Sequence, residues 1–249
     1  MANDVVLHVS ARRQRLGLDR HGRAVWQVEI TSRQLPARQT ALLLCDVWDH
    51  HWCRGAEGRL ADLLPRMSEV VQAARARGVH IIHAPSETMA FYAGAPARQR
   101  ILALPLIEPP PDREHIDPPL PIDDSDGGCD SDESHWQRAW TRQHPAIIID
   151  QERDVIADEG PLIYSYLRHH RIEHLLLMGV HTNMCVLNRP FAIKQMARWG
   201  VDVMLVRDLT DTMYNPARSP YVSHEEGTRL VVEFIEKFWC PTIASTDLV

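Results

Sequence analysis

Short, almost wholly apolar runs alternate with longer amphipathic stretches along this chain, and that alternation limits the folds open to it. Ala41-Leu42-Leu43-Leu44-Cys45 reads as a buried strand ending at Asp46. Between residues 57 and 77 the apolar positions Leu60, Leu63, Leu64, Met67, Val70, Val71 and Ala74 recur at helical spacing, and Gly78 stops the pattern. Residues 79–83 form the next expected strand, closed by Pro85, and 146–149 a third. A helix is expected over 158–170, a strand over 174–178 with Gly179 behind it, and a helix over 183–198 ended by Gly200. Residues 201–206 read as a strand that ends at Asp208, 223–238 as a last helix, and 242–244 as an edge strand. Strands separated by helices of this length call for parallel βαβ units, and all-apolar strands suit a sheet covered on both faces. Residues 37–249 are therefore read as one doubly wound α/β domain of three layers, with helices on both faces of a mainly parallel sheet.

Two segments fall outside the repeat. Residues 1–36 form an N-terminal extension in which 5–31 resemble a β-hairpin around Leu18-Asp19-Arg20-His21-Gly22. Residues 107–145 form a long insertion loop holding many of the prolines and an acidic run from Asp123 to Glu133. A loop this long inside a compact domain is usually functional or mobile, so it is read as a lid. Its oxygen-rich spacing also suits calcium, but the bidentate Glu at the twelfth position of an EF-hand is missing, and a solvated acidic loop is the preferred reading.

Composition closes off other classes. The chain of 249 residues, 45% hydrophobic and 24% charged, is globular rather than disordered. No apolar run approaches the ~20 residues of a membrane span, and the N-terminus lacks the basic-then-apolar layout of a secretion signal. A formal net charge of −6 argues against a nucleic-acid partner. The five cysteines, Cys45, Cys53, Cys129, Cys185 and Cys240, are irregularly spaced with no CxxC pair, so neither a disulfide framework nor a zinc knuckle is expected. The expected setting is reduced and cytoplasmic, with a small-molecule substrate and neither membrane nor nucleic acid as partner.

In doubly wound sheets ligands bind beyond the carboxyl ends of the strands. Asp46, His83, Glu152 and Cys185 all lie at or just past expected strand ends. Cys185 stands where a strand and a glycine-containing turn run into a helix, a place that lowers a thiol pKa and can hold an oxyanion; the alternative is an inert buried cysteine. Trp48 and the segment Asp49-His50-His51-Trp52-Cys53 are read as pocket lining for a planar or carboxylated substrate, against a reading in which the indoles simply pack inside. His83 is balanced between the pocket and a satisfied core position. Pro190 should kink the helix after its first turn.

With these residues in view, the chain resembles the isochorismatase-like cysteine hydrolases, among them nicotinamidases and ureidoacrylate amidohydrolases. The resemblance rests on Leu43-Leu44-Cys45-Asp46-Val47-Trp48, on Gly179-Val180-His181-Thr182-Asn183-Met184-Cys185-Val186, on the strand carrying Asp208 and on the helix opening at His224, and it spans roughly residues 40–245. It implies a six-stranded parallel sheet, a homo-oligomer, Asp46 as general base and Cys185 as nucleophile toward an amide or carbamoyl carbon. It also implies a cis peptide at Val180–His181 that contributes to the oxyanion hole. The family's catalytic Lys is replaced: gap-free counting puts Glu152 in its place, with Gln151 or Arg153 one residue away. The two lysines, Lys194 and Lys237, lie elsewhere. A carboxylate there would raise the thiol pKa, so the charge must come from Arg153, from His181 or His51, or from a metal on the cluster of Asp46, Asp49, His50, His51 and His83. The family's own metal-ligand segment is absent, and no cofactor is expected.

The leading expectation is a cysteine-dependent hydrolase of a small amide, ureido or carbamoyl C–N bond with an atypical triad of Asp46, Glu152 and Cys185. Val180, His181, Trp48, His51 and His83 are expected around the substrate or oxyanion. Two alternatives are an inactive binding or oligomerisation module of the same fold, and a metal-dependent hydrolase using the Asp/His cluster.

Overall fold

The computed structural model describes residues 5–133 and 136–249; residues 1–4 of the N-terminal extension and 134–135 of the long loop lie outside the described residues. One sheet of eight strands runs through the molecule in the order β2-β1-β8-β7-β6-β3-β4-β5. Its members are β1 (Val6–Leu18), β2 (Ala24–Pro36), β3 (Thr40–Cys45), β4 (His80–Ala84), β5 (Val155–Ile156), β6 (His174–Val180), β7 (Asp202–Asp211) and β8 (Thr242–Ile243). Strands β3 to β8 pair in parallel, and the β1–β2 hairpin joins β8 antiparallel. The helices are α1 (Arg54–Ala76), α2 (Pro96–Leu102), α3 (Gly160–His169), α4 (Cys185–Asn188), α5 (Ile193–Arg198) and α6 (His224–Phe238). Among the described residues no helix is long and apolar enough to cross a membrane.

Strand β3 shows why the sheet needs both covers. All of its side chains are buried; Ala41, Leu43 and Cys45 join one core with α3 and α6, while Leu42 and Leu44 join the other with α1 and the hairpin base. Alternation along the strand sends successive side chains to opposite faces, so an all-apolar run must feed two cores. The chain leaves β3 toward β4 and β5, then returns to pair β6 on the other flank of β3. The order therefore reverses between β3 and β6, and a crevice opens at their carboxyl ends.

Several local expectations are corrected. The sheet has eight strands rather than six because the hairpin continues it past β8, which is consequently internal. Residues 146–149 are not a strand; Ile147 is buried but Ile148 is exposed, and the third parallel strand is β5. Strand β7 runs on to Asp211, so Asp208 lies within it, exposed, accepting from the Ser245 N–H. The helix expected over 183–198 is broken into α4 and α5 at Arg189 and Pro190. Cys53 and Cys129 form a disulfide, contrary to the cysteine arithmetic. Their sequence separation of 76 residues hid the pairing, which depends on the long loop folding back onto the start of α1. The acidic run is held by arginines: Asp130 by Arg59, Asp123 by Arg218, and Asp132 and Glu133 by Arg54.

Candidate active site

Asp46 follows β3 and is fully buried, with φ 50°, a left-handed conformation that Asp tolerates better than most residues. Its Oδ1 accepts the Ser86 backbone N–H at 2.7 Å, which ties it to the segment after β4. Half-buried Cys185 opens α4 after β6, and its thiol hydrogen-bonds the Asp46 carboxylate. Gly179 makes this meeting of strands feasible, because a Cβ there would come within 2.0 Å of the Cys45 carbonyl oxygen. The Val180–His181 peptide is cis, as the resemblance implied, and the His181 backbone N–H points at the Cys185 sulfur.

The cation beside Asp46 is Arg189. Its Nε donates to Asp46 Oδ2 at 2.9 Å, and its NH1 stands 3.3 Å from Glu87 Oε1. Pro190 explains its position: the residue before a proline avoids helical geometry, and Arg189 has φ −59° and ψ 150°. Helix α4 thus ends after one turn. A sequence signal existed, since Arg189 is four residues past Cys185, one helical turn along the same face.

Of the expected site residues, Asp46, Cys185, Val180, His181, Trp48 and His51 come together. Two do not. Glu152 is exposed in a turn that precedes β5, its N–H on Asp150 Oδ1 at 2.9 Å, because the gap-free count landed at the wrong end of that strand. Arg153 is also exposed and pairs with Asp150. His83 is a satisfied core residue, bonded to Gln143 at 2.9 Å and to Asp154 at 3.0 Å. The Asp/His cluster likewise disperses: Asp49 takes Thr141 and Arg142, and His50 takes Glu57. Among the described residues the one grouping of metal-ligand type is Cys53, Cys129 and Glu133, where the disulfide occupies both sulfurs.

The electrostatics differ from the expected lowered thiol. Burial pushes the Cys185 thiol up and the Asp46 carboxylate pushes it further, while Arg189 pulls it back only partly. A one-turn helix supplies little dipole, so burial and like charge prevail. Burial also raises Asp46 against the pull of Arg189. The resting site is consequently a protonated thiol beside an Asp46 carboxyl group held by the Arg189 guanidinium. Burial lowers His51 to about 4 and His181 to about 3, so both imidazoles are neutral at pH 7. Behind His181 lies a network the sequence did not reveal: Asp211 accepts His224 Nε2 at 2.8 Å and Arg59 Nε at 3.0 Å.

Cys185 and Arg189 line a cavity of about 530 Å³. Its walls include Trp48, His51, Trp52 and His181 from the core, and Gly127, Cys129, Trp136 and Trp140 from the long loop. That loop, read as a lid, forms one side of the pocket.

No protein-family model matches this sequence, and no curated protein matches it. Solved structures do. A cysteine hydrolase from Pseudomonas syringae pv. phaseolicola matches with a TM-score of 0.52 at 18% identity, over 85% of this chain and 91% of that one. An isochorismatase from Pseudomonas putida matches with a TM-score of 0.51 at 11% identity, over 86% and 91%. By these likenesses, the chain has the isochorismatase-like fold of the cysteine hydrolases.

Proposed function

We propose that the protein is a cysteine-dependent hydrolase of a small amide, ureido or carbamoyl C–N bond, in which Arg189 supplies the charge that a lysine supplies in the family it resembles. The observation that carries this reading is Asp46, buried and in contact with both the Cys185 thiol and the Arg189 guanidinium, the two groups that line the pocket.

The chemistry follows from that contact. As the sulfur attacks the carbonyl carbon, the thiol proton passes to Asp46 and the carbonyl oxygen becomes an oxyanion, received by backbone N–H groups at His181 and Cys185. Asp46 then returns the proton to the departing nitrogen, the C–N bond breaks and an amine leaves a thioester. Water attacks the thioester and gives a proton to Asp46; the C–S bond breaks, the acid leaves and the sulfur recovers its proton. A raised Asp46 suits both acceptance and return of that proton, and Arg189 pulls it back toward the ionised form.

The test is a screen of small amides and ureido acids with the intact protein, its Cys185→Ala variant and its Asp46→Asn variant. Turnover by the parent that both variants abolish supports the reading. Turnover that survives Cys185→Ala, or no turnover of any amide or ureido compound, overturns it.

A further inference from the structure

The wall of this pocket is unusually aromatic and unusually acidic for a site that must hold an acyl group. Trp140 stacks on Trp48 with ring centroids 4.0 Å apart and planes 5° apart. Trp136 meets Trp140 at 6.1 Å and 73°, so the two indoles form a corner. Trp52 closes the side beyond His51, and Gly127 packs against it. Trp140 is 5% exposed, and among the described residues its indole N–H has no hydrogen-bond partner.

Four carboxylates line the same cavity: Glu87, Asp126, Asp132 and Glu133. Among the described residues the one guanidinium lining the cavity is Arg189, already engaged by Asp46 and Glu87. Asp126 is held by Asn215 and, at 3.9 Å, by Arg218; Glu133 is held by Ser131 and, at 3.8 Å, by Arg54. Asp132 is fully exposed, with Arg54 no nearer than 3.7 Å. The lining imidazoles carry no charge at neutral pH and offset none of this. An anionic substrate would meet a repulsive mouth, and a neutral one would draw nothing from carboxylates that face their arginines mostly at 3.3–3.9 Å. Aromatic faces beside carboxylates are the surroundings that favour a weakly hydrated organic cation, attracted by the ring quadrupoles and by net negative charge.

We infer that the substrate carries an alkylated ammonium group, seated against Trp136 and Trp140 with Asp132 and Glu133 at the mouth, while its neutral amide or ureido carbonyl reaches Cys185. This rests on the hydrolase reading for the reaction but not for the binding of the cation.

The experiment has two arms. In the first, the intact protein is titrated with choline and with its uncharged isostere 3,3-dimethylbutan-1-ol, read by tryptophan fluorescence and calorimetry. Choline is expected to bind at least about tenfold more tightly, and the exposed-site variants Trp136→Ala and Asp132→Asn each to cut that preference by about threefold or more. In the second, hydrolysis of 4-(trimethylammonio)butanamide is compared with that of 5,5-dimethylhexanamide, where the charge is too remote to alter the intrinsic reactivity much. A preference of about tenfold in kcat/KM for the cation supports the inference. Cys185-dependent cleavage of the neutral amide as fast or faster leaves the hydrolase reading standing and overturns this one. Preferential binding of choline with no cleavage of either amide supports the cation site, and the hydrolase reading is then decided by the wider screen of amides and ureido acids. Equal binding of choline and its isostere overturns the inference whatever the hydrolysis shows.

Discussion

Arg189 Nε lies 2.9 Å from Asp46 Oδ2, joining the residue that ends the one-turn helix α4 to a fully buried carboxylate at the end of β3. The pair spans the point where strand order reverses, and it links the chain's strongest catalytic signal to a cation that no gap-free count could find. Removing the guanidinium leaves a buried carboxylate that must either stay uncompensated or take up a proton. Arg189→Met is expected to lower kcat/KM by at least about 100-fold and unfolding stability by about 1–3 kcal/mol. Arg189→Lys should recover part of both. Steady-state kinetics and urea unfolding read the two effects, and full activity in Arg189→Met would remove Arg189 from the triad.

Pro190 holds its neighbour out of the helix. Pro190→Ala frees Arg189 to adopt helical geometry and lets α4 run toward α5, turning the guanidinium from Asp46. Circular dichroism should change little, while kcat falls by about tenfold or more. A variant as active as the parent would show that the proline only shapes the chain turn.

The thiol of Cys185 is held up by burial and by the Asp46 carboxylate, so it is protonated at neutral pH. Alkylation by iodoacetamide should be slow at pH 7 and still be rising at pH 9. Asp46→Asn removes the negative neighbour and should shift the rate profile to lower pH. Mass spectrometry of the alkylated peptide separates Cys185 from buried Cys45 and Cys240. A plateau below pH 7 in the parent would contradict the assignment of charges.

The Cys53–Cys129 disulfide fastens the loop carrying Trp136 and Trp140 to the start of α1. Closing a chain segment of 76 residues contributes roughly 4 kcal/mol on the loop-entropy view. Cys129→Ser, or treatment with dithiothreitol, should lower the unfolding midpoint and raise KM more than it lowers kcat, because the wall loosens while Asp46, Cys185 and Arg189 stay in place. Identical melting with and without reductant would count against the bond.

Asp154 is a deeply buried ion-pair partner away from the pocket. Burial alone would raise its carboxyl, but the hydrogen bonds from His83 and Arg75 prevail and hold it at about 2. A carboxylate with a lowered folded-state value gives stability that is present above its unfolded value, near ~3.9, and lost as pH falls through the folded one. Asp154→Asn should therefore be about 2 kcal/mol less stable at pH 7, with the gap closing toward pH 2. Denaturant melts at several pH values measure it; a gap independent of pH would mean that packing, not charge, is lost.

What was legible in the amino-acid order is what depends on local spacing. The apolar runs at 41–45 and 174–178, the helical stripe of Leu60, Leu64, Met67 and Val71, and the glycine turn ahead of Cys185 each announce their element and its buried side. They were enough for a doubly wound sheet and for a meeting of Asp46 with Cys185, because strand ends at a reversal of order must face one crevice. Other features turned on distances across the chain. The hairpin's place in the sheet, the bond between Cys53 and Cys129, the Trp136–Trp140 wall and the burial of His83 against Asp154 all join segments far apart in sequence. Glu152 shows the cost of counting through a strand of only two residues, whose position no periodicity marks. Arg189 lies between these cases: its spacing from Cys185 is local, but its pairing with a carboxylate 143 residues away is fixed only when β3 and β6 lie side by side.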